Sequence, residues 1–131
     1  MTLLGRILRW QSIGSALCGL ALVVAPGTIA EGLMAQPPTQ AGWLRALGVA
    51  AIVLAAQMVL VARKLEELWW WSWSFVVLEA GVALAFAATA LAGVPTGAPA
   101  WPWWTAAAIS LGLAALDVAG LAKAGTERSP L

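Results

Sequence analysis

Four apolar runs of membrane length dominate the chain, at about 4–25, 41–62, 68–94 and 101–122. About 20 apolar residues, rising 1.5 Å each, cross a hydrocarbon layer of roughly 30 Å. Each run is cut short by residues that do not continue a buried helix. Pro26-Gly27 closes the first, the charged stretch 63–67 separates the second from the third, and "GVPTGAPA" closes the third. The chain has 131 residues, of which 62% are hydrophobic and 10% charged. Soluble domains carry about 25% charged residues, and a small fold leaves much of its surface exposed. Lipid must therefore be the solvent for most of this chain. The expected architecture is an all-α integral membrane protein, a bundle of four transmembrane helices. It forms one domain over 1–125, with a short cytoplasmic tail at 126–131 that is expected to fray.

Composition removes several chemistries. The net charge of +1 and the lack of a basic patch argue against nucleic acid as a partner. Histidine is absent, and with it the commonest general base and metal ligand. Tyrosine is absent too. Cys18 stands alone, so neither an intrachain disulfide nor a thiolate metal cluster can form. In an apolar run it reads as a small hydrophobe. No metal and no cofactor is implied.

The first run has the outline of a signal peptide, with Arg6 and Arg9 ahead of an apolar stretch. The chain starts at Met1, and "SALC" is a poor lipoprotein cleavage site, so a retained helix is expected. Four spans place both termini and the 62–67 loop on one side. That side carries Arg6, Arg9, Arg63, Lys64, Lys123 and Arg128, whereas only Arg45 lies toward the other. Positive charge is retained in the cytoplasm, so both termini are expected to face it, in the cell inner (plasma) membrane. The outer segment "PGTIAEGLMAQPPTQ" reads as a short interfacial helix. Thr28 is its expected cap, Glu31 completes a capping box, and Ile29, Leu33 and Met34 dip into the headgroups. The first and third runs both end at a proline, Pro26 and Pro95, a faint echo of two related hairpins.

Nine tryptophans mark the chain. Trp10, Trp69, Trp70, Trp71 and Trp73 fall near the inner boundary, and Trp43, Trp101, Trp103 and Trp104 near the outer one. Indoles prefer the headgroup level, where an apolar body meets a polar edge. The cluster at 69–73 covers every side of a helix at about 100° per residue. At least one member, with Trp73 foremost, is expected to turn inward.

The polar residues inside the spans carry the functional question. Glu79 lies about 12 residues beyond Glu67, so about 18 Å into the membrane and near its midplane. Asp117 lies about 9 Å inside Lys123. Gln57, Arg9, Gln11 and Ser12 occupy the same half of the bundle. An ionisable group at mid-membrane costs roughly 2.5–3.5 kcal/mol on insertion scales, so these groups should face inward and find partners. Helix one offers a small polar stripe of Gly5, Arg9, Ser12, Ala16 and Gly19. Helix three aligns Ser72, Glu79 and Phe86, and helix four aligns Trp103, Ser110 and Asp117, each at steps of seven. The three stripes are expected to line one cavity, with Arg9 as the cation for Glu79 or Asp117.

Two readings of this set compete. In one, Arg9, Gln57, Glu79 and Asp117 form a packing network that sets helix register. In the other they border a site for a lipophilic small molecule. There a protonated Glu79 acts as acid on an isoprenoid-like substrate, with Asp117 and Arg9 orienting it. Ser12, Gln57, Trp73, Phe86, Trp103 and Ser110 complete the lining, and aromatic faces receive a cationic centre. Two further functions remain open: a non-catalytic subunit of a larger membrane complex, and a small homo-oligomeric transporter or channel.

The stretch "GRILRWQSIGSALCGLALVVAPGTIAEGL", followed by "WLRALG", resembles the DoxX-like group of small bacterial membrane proteins. The likeness is a helix ending at proline, a short outer segment, then Trp-Leu-Arg-x-x-Gly opening the second helix. It covers about half the chain. It implies the four-helix architecture and assigns no functional residue.

Overall fold

The computed structural model describes residues 2–32, 41–92 and 99–127. In chain order they form α1 (Leu3–Val24), α2 (Pro26–Gly32), α3 (Ala41–Arg63) and α4 (Leu65–Leu68). A 3₁₀ turn (Trp69–Trp71), α5 (Ser72–Ala92) and α6 (Trp101–Glu127) follow. Four helical segments are long and apolar enough to cross a membrane, so the chain is an all-α four-helix membrane bundle.

Local chemistry explains where the helices begin and end. Thr2 caps α1 by accepting the Gly5 amide at 3.2 Å. Ala25 stops it, and Pro26 opens α2 at the first helical position, where its missing N–H costs nothing. Thr28 therefore lies inside α2 and is not its cap. Leu33 and Met34, expected at the interface, lie outside the described residues, as do Pro95 and Arg128. Pro102 likewise sits in the first turn of α6.

The third span is not one continuous α-helix. The chain turns through α4 and the 3₁₀ turn before α5 begins at Ser72. Glu79 lies seven residues into α5, about 11 Å along the axis from its start, at the same level as Asp117.

The helices pack as two antiparallel pairs, α1 on α3 and α5 on α6, joined through α1 and α6. On the first pair, a Cβ added at Gly19 would lie 2.6 Å from the Gly48 carbonyl oxygen. Only glycine on both sides allows this backbone approach. Ser15 Oγ donates to the Ala51 carbonyl at 2.9 Å along the same seam. The pairs meet where Gly120 of α6 lies against Leu4 of α1. There Leu4, Leu8, Met58, Val61, Leu65, Phe75 and Leu121 form the core.

The tryptophan cluster faces away from the bundle interior. Trp69, Trp70, Trp71 and Trp73 are all exposed, so none of the cluster turns inward. The inward stripe of α5 is Ser72, Phe75, Glu79 and Ala83. Trp73 lies about 100° off that stripe, and the other three belong to the turn that precedes the helix. The partly buried indole is Trp103, whose ring meets Phe86 at 5.8 Å between centroids.

Candidate functional site

A groove of about 900 Å³ runs between the two helix pairs. Trp10, Gln11, Gly14 and Cys18 of α1 form one wall, at helical steps of three and four. Glu79, Val82 and Phe86 of α5 face them. Ile109, Ser110 and Leu113 of α6 lie alongside, and Leu54 and Met58 of α3 close the back. The groove opens to the bundle surface, where Trp10, Leu78 and Ile109 are exposed. Its surface is mostly apolar, with a few polar groups from three helices.

One of those polar groups is Glu79, which is 8% exposed. Its carboxyl faces that of Asp117, which lies behind it and is 0% exposed. Asp117 itself does not line the groove. Gln11 reaches the pair from α1, beside Asp117. Its Nε2 donates to the Leu113 carbonyl at 3.4 Å, which holds the amide across the α1–α6 interface. The geometry leaves a surplus of acceptors. Gln11 Oε1, Glu79 Oε2 and both Asp117 carboxyl oxygens are buried without a hydrogen-bond partner. Ser72 Oγ and the Trp103 Nε1–H are unpartnered as well.

The structure separates the sequence-derived set. Glu79, Phe86 and Ser110 share the groove, Asp117 backs it, and Trp103 packs on Phe86 at one end. Four residues stand apart. Arg9 is exposed and forms no ion pair among the described residues, so it is not the partner of Glu79 or Asp117. The inward face of α1 is Leu4, Leu8, Gln11 and Ser12, and Arg9 falls off that stripe. Gln57 is exposed because the inward positions of α3 are Ala55, Met58 and Val61. Trp73 faces outward, as described above. Ser12 is buried, but its hydroxyl donates to the Arg9 carbonyl at 2.7 Å. With Ala16 it lines a smaller cleft against α3, so the stripe of small residues on helix one builds a helix seam and not the cavity wall.

Sequence reasoning missed Trp10, Gly14, Cys18 and Met58 as lining residues, and underused Gln11. The signal was available in the steps Trp10–Gly14–Cys18 and Gln11–Gly14–Cys18. It was obscured because apolar residues occur on every side of α1, and its polar residues do not mark one inward face. The described residues hold no cluster of three or more Cys, Asp or Glu that suits a metal. Comparisons with known protein families, curated proteins and solved structures return no match for this chain.

Proposed function

We propose that the protein binds a lipophilic small molecule, drawn from the bilayer into the groove between its helix pairs. The observation that carries this reading is the position of Glu79, a buried carboxyl on the wall of an otherwise largely apolar groove of about 900 Å³. Ligand sites have this composition and size, with a large apolar surface and few convergent polar groups. A pure packing network would enclose Glu79 against a cation and leave no space beside it. The open side suits a ligand that arrives through lipid. Asp117 acts as a positioning residue behind Glu79. Binding, rather than acid catalysis, is the function the geometry supports best, because Glu79 is the one carboxyl on the groove wall among the described residues. The site belongs to a multi-pass protein of a bacterial inner membrane with both termini in the cytoplasm. The excess of Lys and Arg at that end supports this orientation.

The test is photolabelling in nanodiscs with a long-chain alcohol that carries a diazirine. Adducts should concentrate on groove residues of α1 and α6. A Cβ at Gly14 would meet nothing within 4 Å, and Gly14 lines the groove, so Gly14→Trp directs an indole into that space. That variant should lose most of the groove adducts. Adducts spread evenly over the lipid-facing surface, and unchanged by Gly14→Trp, would overturn the reading.

A further inference from the structure

Resting on that reading of the groove, we infer that its ligand is an amphiphilic amine, whose ammonium group sits at Glu79 while its apolar chain fills the groove. Gln11 Oε1, Glu79 Oε2 and both Asp117 oxygens are buried together without a hydrogen-bond partner, and no described residue brings a positive charge to them. They come from three different helices, α1, α5 and α6, so packing has brought them to one place. Gln11 is 7% exposed, and its free oxygen is an observation independent of the acidic pair.

The protein supplies no cation for this cluster. Arg6, a cation on the groove wall, is exposed and forms no ion pair among the described residues. Arg9 lies off the inward face of α1. A buried polar group without a partner is costly, more so where lipid replaces water. At Glu79, the carboxyl that this cluster presents to the groove, a ligand that brings donors and positive charge therefore gains more than one that brings neither. An ammonium presents three N–H donors and one positive charge. One ammonium and one proton together neutralise two carboxylates, so the filled site carries no net charge into the low-dielectric interior. Trp10 and Phe86 line the same groove, and aromatic rings attract a cation. A ketone, a quinone or an ester can accept one hydrogen bond from a protonated carboxyl but brings no charge to offset a carboxylate.

The experiment compares radiolabelled dodecylamine with radiolabelled dodecanol on the full chain in phosphatidylcholine nanodiscs, after subtracting empty discs. The two probes share a chain and differ in the head group. The inference expects saturable binding of both, with the amine tighter by at least about tenfold, the least that charge-assisted hydrogen bonds supply. Glu79→Gln and Asp117→Asn should each remove the amine preference while dodecanol binding persists. Equal affinity for the two probes in the unmodified protein would overturn the inference and leave the groove reading in place. An amine preference that survives both variants would also overturn it, because the recognition would lie elsewhere. Failure of both probes to saturate would overturn the groove reading itself. The comparison in the unmodified protein decides the matter even where a variant fails to fold.

Discussion

Gly19 and Gly48 hold α1 and α3 together at backbone distance. A Cβ on either residue would come within 2.6 or 2.7 Å of the other's carbonyl oxygen. Neither backbone can yield without parting the helices, because the obstructing atom is a carbonyl and not a flexible chain end. Gly19→Ala should therefore destabilise the bundle by about 1–3 kcal/mol, the range of an overpacked interior. Gly81→Ala, with open space around the new methyl, should leave stability unchanged or raise it by up to about 1 kcal/mol through helix propensity. Unfolding in mixed micelles followed by circular dichroism separates the two.

The end of the bundle that carries the α3–α4 turn closes on Phe75, which is 1% exposed and packs among residues from all four spans. Phe75→Ala should cost about 3 kcal/mol or more. Lipid does not drive apolar burial, so this loss comes from packing contacts and the cavity left behind. The same unfolding assay should show the largest shift of any single truncation in the core.

The unpartnered carboxyls lead to the opposite expectation. Asp117→Asn keeps the shape of a fully buried side chain and adds a donor beside Glu79 and Gln11. Stability should hold or rise by about 1 kcal/mol. Ligand binding should fall in the same variant. A marked loss of stability would show that Asp117 is a packing residue first.

The aromatic residues should divide by where they stand. Trp73→Leu lies on the outer surface and should leave binding in the groove unchanged. Phe86→Ala and Trp10→Ala remove groove wall and should weaken binding of an alkyl probe severalfold, about the effect of one lost aromatic contact. Photolabel yield in the three variants reads this directly.

Orientation is open to a simple test. Alkaline phosphatase fused after Thr126 should be inactive and a fluorescent protein at the same place should fold, as expected of a cytoplasmic end. Reversal of both signals would invert the topology.

The sequence by itself determined the solvent, the number of spans and their approximate ends. Length and apolarity decide those, and Thr2, Pro26 and Pro102 act on neighbouring residues only. It also singled out Glu79 and Asp117, since a carboxyl in an apolar run is costly wherever the run packs. Only the tertiary structure decided what these two face. A helix with apolar residues on every side has no amphipathic stripe to announce its inward side, so Arg9, Gln57 and Trp73 looked as eligible as Gln11 and Trp10. The 3₁₀ turn at Trp69–Trp71 interrupts the third span before the helix that carries Glu79. The contact between Gly19 and Gly48 set which face of α1 meets α3, and the contact between Leu4 and Gly120 set which meets α6. The groove wall is what those two seams leave uncovered. It is a property of helix packing that no local pattern in the chain encodes.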